Sequence, residues 1–200
     1  MSDKKGYFEG LYGANEDPYA LRTRWYEQRK RAVLMAALPR AGYARVYEPG
    51  CGAAELTVEL AQRCGAVLAS DFSEHALAAA RRRTAGLPNV QIEQQRLPAD
   101  WPRDAAPFDL IVLSEVGYFL DALAMQQLAE DCDASLAAGG TLVACDWRPD
   151  FAERALPTAL VHAALAGLGL ARLVLHEEAD FLLQVWCRAP HSVAQREGIR

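Results

Sequence analysis

Short apolar runs with strand character alternate along this 200-residue chain with runs of helical character, and that order leaves few folds open. Strand-like runs fall at 44–48, 66–70, 90–94, 108–114 and 141–146, with helix-like runs at 54–63, 73–83, 123–136 and 156–168. Strand then helix, repeated, predicts a mostly parallel sheet covered on both faces. Two further strand-like runs, 171–177 and 181–188, are separated by only a few polar residues, so they predict an antiparallel hairpin at one edge. The expectation is an α/β fold with seven strands.

An apolar content of 52% suits one buried core and one domain. Residues 1–40 read as an N-terminal cap segment and helix, 41–188 as the core and 189–200 as a tail. In the cap segment, Thr23 is expected to cap a helix that runs to about Leu38, where Pro39 stops it. The 21 basic residues are outnumbered by 26 acidic ones and form no stripe, which argues against nucleic acid as a partner. The basic run Arg81-Arg82-Arg83 is expected at a helix end, satisfied by the helix terminus and water. Five cysteines without a C-x-x-C pair fit a reducing cytoplasm. No apolar run approaches the roughly 18 residues that span a bilayer, so no membrane partner is expected.

The chemistry concentrates where the first strand meets its helix, in Glu48-Pro49-Gly50-Cys51-Gly52-Ala53-Ala54-Glu55. A Gly-rich turn there lets a ligand approach bare backbone. Alone, Gly50 and Gly52 would read as a tight turn. Asp71, at the end of the next strand, adds a carboxylate able to accept ribose hydroxyls, although it could equally cap the helix beginning near Ser73. A Rossmann-like nucleoside site results. A dinucleotide fingerprint wants Gly or Ala where Glu55 stands, and an anion there would oppose a pyrophosphate. Glu48 instead suits a ligand that carries an ammonium and a sulfonium, as S-adenosylmethionine does.

Taken together, Asp17-Pro18 with a following aromatic, Trp25-Tyr26-Glu27 with Lys30, Ala37-Leu38-Pro39, the Glu48–Gly52 motif, the run from Phe108 through Glu115 to Tyr118, and Ala138-Gly139-Gly140 resemble the class I S-adenosylmethionine-dependent methyltransferases. The resemblance is strongest to the nodulation protein S family of small N-methyltransferases. It implies that Gly50, Cys51 and Gly52 lie against the methionine part of the cofactor, that Glu48 attracts its amino group, and that Asp71 holds the ribose. Phe72 would flank adenine, with Arg96 and Leu97 from the loop after the third strand. Arg96 stands where an Asp is common, and Ala54 replaces a third Gly. Tyr19 and Tyr26 are expected against the cofactor as part of an aromatic start, with Tyr12 and Trp25, that closes over it; simple packing is the alternative.

Ser114, Glu115 and Tyr118 follow the fourth strand, on the edge where open parallel sheets bind ligands. Glu115 and Tyr118 are the candidate catalytic pair, steadying an amine acceptor and helping to remove its proton; a solvated carboxylate and a core aromatic are the plainer readings. Tyr12, Trp147 and Arg148 are expected to contact a small-molecule acceptor. His162 reads as a packing residue, and the four histidines are too scattered to suggest a metal. The expected reaction is methyl transfer from S-adenosyl-L-methionine, leaving S-adenosyl-L-homocysteine. The competing readings are an NAD-dependent oxidoreductase on the same fold and a non-catalytic S-adenosylmethionine-binding subunit.

Overall fold

The computed structural model describes residues 4–105 and 107–200; residues 1–3 of the expected cap segment lie outside them. Among the described residues, one sheet comprises β1 (Tyr43–Pro49), β2 (Cys64–Asp71), β3 (Val90–Gln94), β4 (Phe108–Ser114), β5 (Leu136–Trp147), β6 (Ala171–Glu177) and β7 (Phe181–Cys187). Their order is β3-β2-β1-β4-β5-β7-β6. The ladders from β3 through β5 are parallel, while β7 runs antiparallel to both β5 and β6. The expected seven-stranded sheet with its terminal hairpin is therefore present, with β6 outermost.

The helices are α1 (Lys4–Ala14), α2 (Trp25–Ala37), α3 (Glu55–Ala61), α4 (Glu74–Thr84), α5 (Ala122–Ser135), α6 (Thr158–Ala166) and a short α7 (Val193–Arg196). None is long and apolar enough to cross a membrane. They enclose the sheet because its central strands are apolar on both faces. On β4, Leu110 and Val112 enter a cluster with Leu34 of α2, Leu56 and Leu60 of α3, and Leu77 of α4. Ile111 and Leu113 enter a second cluster with Leu128 of α5 and with Val161 and Leu165 of α6.

Local chemistry sets several element ends. Ser73 caps α4 by accepting the Ala76 N–H at 3.3 Å, and Asp121 caps α5 by accepting that of Ala124 at 2.9 Å. Leu38, extended before Pro39, ends α2. Thr23 is not the cap of α2: it lies in a turn, its N–H bonded to the Ala20 carbonyl, and Arg24 holds the cap position without a side-chain bond. β5 starts earlier than expected, at Leu136, because α5 passes straight into it through an Ala-Ala-Gly-Gly stretch with no apolar signature.

The aromatic start is a helix. α1 lies across α4 and drives Phe8 edge-on between Phe72 and Phe119, at centroid distances of 5.5 and 5.0 Å. The run Arg81-Arg82-Arg83 does end a helix, but its partners are carboxylates rather than water alone. Arg81 faces Glu74, Arg82 pairs with Glu16, and Arg83 reaches the buried Glu55 at 2.5 Å.

Candidate active site

Strand order reverses between β1 and β4, and the carboxyl ends of two strands that diverge there leave a crevice. In this chain it is a cavity of about 820 Å³, within the span of about 300–1,000 Å³ usual for small-ligand sites. Gly50 and Gly52 form its floor, both with positive φ, +73° and +53°. A side chain at Gly50 would collide with Val116 Cγ2, and a Cβ at Gly52 would meet the Tyr12 hydroxyl at 2.7 Å. Ala54 follows at φ +66°, so the position where a third glycine is expected keeps the left-handed backbone and carries its strain.

Glu48 lines this floor, 3% exposed, and its Oε2 has no hydrogen-bond partner among the described residues. Burial pushes its carboxyl up to about 8. Asp71 is more fully engaged. Its Oδ2 accepts the Gly52 N–H at 3.0 Å and its Oδ1 the Ser73 N–H at 2.9 Å. Asp71 is not the cap of α4, a role held by Ser73; its carboxylate fixes the glycine turn and lines the cavity. Burial raises its pKa against the effect of these bonds. Each oxygen retains a lone pair for a ligand hydroxyl.

Phe72, Arg96 and Leu97 line one end together with Phe8 and Phe119. The sequence reading passed over Gln95, the buried polar side chain of that stretch, which takes the Tyr47 hydroxyl at 2.7 Å and donates to Glu93 at 3.0 Å. Glu55 also lines the cavity, but its charge is matched by Arg22 and Arg83, each at 2.5 Å. The repulsion expected of it toward a pyrophosphate is therefore cancelled, and only its bulk remains.

Beyond the glycine turn, Ser114, Glu115 and Tyr118 line the cavity with Tyr19 and Tyr26. Glu115 has φ +61° and both oxygens occupied. Oε1 faces the Lys30 ammonium at 2.6 Å, while Oε2 accepts the Tyr118 hydroxyl at 2.5 Å and the Trp147 N–H at 3.0 Å. Lys30 also pairs with Glu27 at 3.0 Å. Burial alone would lower the Lys30 pKa, yet the two carboxylates hold it well above its usual range. Burial and the charge of Glu115 raise that of Tyr118, whose hydroxyl donates to Glu115. Lys30 was missed as a site residue because a lysine beside Tyr26 and Leu34 on one helix face reads as a snorkelling surface chain.

Other expectations are rearranged. Trp147 lines the cavity, edge-on to Tyr26 at 5.6 Å. Arg148 does not: backbone alternation sends it to the opposite side, where it pairs with Glu177 at 2.9 Å and with the Glu178 carbonyl. Tyr12 lines the cavity over Gly52, where α1 carries it. Trp25 is 73% exposed and takes no part. His162 is buried between Asp146, 3.1 Å away, and Gln184, 2.8 Å away. Among the described residues no group of His, Cys, Asp and Glu is arranged to hold a metal.

A dinucleotide fold orders its strands 3-2-1-4-5-6 with all of them parallel; here an antiparallel β7 is inserted before the edge strand, and a buried carboxylate faces the glycine turn. Those two departures define the class I methyltransferase arrangement. The sequence model of the methyltransferase domain family matches residues 46–140. A solved structure from Pseudomonas syringae assigned to the methyltransferases is 46% identical, with 82% of this chain and 100% of that one aligned and a TM-score of 0.74. The N-methyltransferase NodS from Bradyrhizobium japonicum, solved with S-adenosyl-L-homocysteine, shares the fold at a TM-score of 0.81 and 24% identity, over 93% of this chain and 98% of that one. Trans-aconitate 2-methyltransferase from Variovorax paradoxus is 35% identical over 127 residues, 62% of this chain and 47% of that protein. The chain spans about half the length of the curated relatives it matches. On this evidence it belongs to the class I S-adenosylmethionine-dependent methyltransferases.

Proposed function

We propose that this chain binds S-adenosylmethionine in the cavity and methylates a small-molecule acceptor, an amine being the class favoured by the site's charge. The observation that carries the reading is Glu48, a buried acid with a free oxygen beside the glycine turn, which a ligand ammonium would satisfy. Gly50 and Gly52 leave room for the methionine part. Asp71 offers lone pairs to ribose, and Phe8, Phe72 and Phe119 offer aromatic walls for adenine.

When bound, S-adenosylmethionine supplies a methyl group already activated by its sulfonium, with S-adenosyl-L-homocysteine as product. The chain's residues then need mainly to position the acceptor and exclude water. Tyr118, its proton directed at Glu115, turns oxygen lone pairs toward the cavity, where they steady an ammonium or the cation that develops on methylation. Glu115, with both oxygens engaged, acts through Tyr118 as a charge anchor, and the acceptor's proton leaves to water. One lysine facing Glu27 and Glu115 leaves this end anionic, which disfavours a carboxylate acceptor such as the one that names the trans-aconitate relative. Five free, buried cysteines suit a reducing compartment.

Calorimetric titration with S-adenosyl-L-homocysteine and, in parallel, with NADH tests the cofactor; micromolar binding of the first alone is expected, and the reverse would make the chain an oxidoreductase. Transfer of labelled methyl to a panel of small amines tests the activity. Binding without transfer to any acceptor class would leave a non-catalytic subunit. Tyr118→Phe should lower kcat while homocysteine-product affinity stays within about twofold, an interaction made in the transition state being what is lost.

A further inference from the structure

Six carboxylates line the cavity: Glu27, Glu48, Glu55, Asp71, Glu115 and Glu153. Four of them are matched within the chain. Glu27 and Glu115 face Lys30, Glu55 faces Arg22 and Arg83, and Asp71 accepts two backbone N–H groups. The other two, Glu48 and Glu153, have neither a cation nor a backbone N–H among the described residues. Glu48 lies at the glycine turn and is accounted for by the cofactor's amino group. Glu153 lies elsewhere, on the segment between β5 and α6 that carries Phe151.

The cations nearest to Glu153 in sequence have their partners elsewhere. Arg154 donates to the Trp147 and Pro149 carbonyls, at 2.9 and 3.0 Å, and to the Thr158 hydroxyl, at 2.8 Å; it faces Asp150 at 3.6 Å and lays its guanidinium over the Tyr118 and Phe151 rings. Arg148 is spent on Glu177. Of the arginines that line the cavity, Arg24 and Arg96 are exposed, and Arg31 pairs with Glu59. Around Glu153 the wall is aromatic. Phe151 packs edge-on to Tyr118 at 5.1 Å, and Tyr19 from the N-terminal segment stands close enough for the Glu153 charge to help raise its pKa, after burial and Tyr7. A half-buried carboxylate that lines the cavity without an ion-pair partner of its own is a receptor for a cationic group.

We infer that Glu153 is the specificity-determining residue at the acceptor end, pairing with a cationic group of the acceptor and selecting amines over neutral and anionic compounds. The inference rests on the proposed methyl transfer. Glu48 and Glu153 then divide the work, one reading the positive charge of the methyl donor and the other that of its acceptor.

The test compares the natural chain with Glu153→Gln, which keeps the shape and removes the charge. Each is first titrated with S-adenosyl-L-homocysteine and then assayed for labelled methyl transfer to small primary amines and to a matched set of carboxylic acids. Product affinity should be unchanged. The KM for amines should rise about tenfold or more, the scale of a lost charge-assisted hydrogen bond, with kcat nearly constant, and the wild-type KM should rise with added salt. Glu153→Lys should abolish transfer to amines while the product still binds. If the wild type methylates amines and Glu153→Gln matches its KM within twofold, the role of Glu153 is overturned and the activity stands. If the wild type binds the product yet methylates carboxylic acids in preference to amines, or no amine at all, both the amine reading and this inference fall.

Discussion

Lys30 of α2 meets Glu115, at the end of β4, across the cavity at 2.6 Å, and Glu115 holds a left-handed backbone while it does so. Lys30 is 6% exposed, so its removal leaves two carboxylates facing each other without a cation. Lys30→Met should cost about 3 kcal/mol of stability, the scale of breaking a buried ion pair, with Lys30→Arg losing less. Thermal unfolding checks this, and equal midpoints for Met and wild type would make the pair ornamental.

The raised pKa of Glu48, about 8, gives cofactor affinity a pH dependence with a definite sign. At pH 7 the carboxyl of the free protein mostly holds its proton, and an arriving ammonium must displace it. Affinity for S-adenosyl-L-homocysteine should therefore rise from pH 6 to pH 8, by at most about tenfold per unit, then flatten. Calorimetry in two buffers of different ionisation enthalpy should show proton release, and Glu48→Gln should abolish it.

Two glycines make opposite predictions. Gly50→Ala forces a methyl group into Val116 at φ +73° and should destabilise by about 2–4 kcal/mol, combining left-handed strain with overpacking. Gly10, inside α1, has nothing within 4 Å of a built Cβ, so Gly10→Ala should stabilise by about 0.5–1 kcal/mol. Urea unfolding midpoints moving in the same direction would contradict one of them.

Glu178 ties the β6–β7 turn to α2. Arg29 grips it with two nitrogens, at 2.7 and 2.9 Å, and His176 adds a third contact; Arg29 first and His176 second hold its carboxyl near about 2. A depressed carboxyl contributes its stability above the unfolded value of 4.5 and loses it as pH falls toward 2. Wild type and Glu178→Gln should thus differ at pH 6 and converge near pH 2. Because the pair is exposed, the difference should shrink in high salt.

Removal of residues 1–22 takes away Phe8, Tyr12 and Arg22 together. Affinity for S-adenosyl-L-homocysteine should fall about tenfold or more, since an aromatic wall and one of the two cations on Glu55 go with them. Undiminished affinity would reduce α1 to packing.

The sheet was legible because its central strands are buried on both faces, so that β4 carries the unbroken apolar run Leu110-Ile111-Val112-Leu113. The cofactor turn was legible because positive φ calls for glycine, and Gly50 and Gly52 stand at the positions that need it. What stayed hidden depends on partners distant in sequence. Arg22 and Arg83 neutralise Glu55 from either side of it, a relation no window of neighbouring residues displays. α1 was obscured by Gly6, Gly10 and Gly13, which weaken helical propensity, and Arg148 by the strand's last alternation. Glu153 stands out only when the partners of the cavity's other carboxylates have been traced and Glu48 has been assigned to the cofactor.

A buried acid with an unsatisfied oxygen is a poor way to build a stable protein, and Glu48 lies among core side chains where an aliphatic residue would pack without that burden. Glu48→Leu should therefore yield a chain that melts higher than the natural one and no longer holds its ligand. Selection for stability alone would discard this glutamate, so under the proposed reading the fold gives up durability at this point in order to bind the methyl donor.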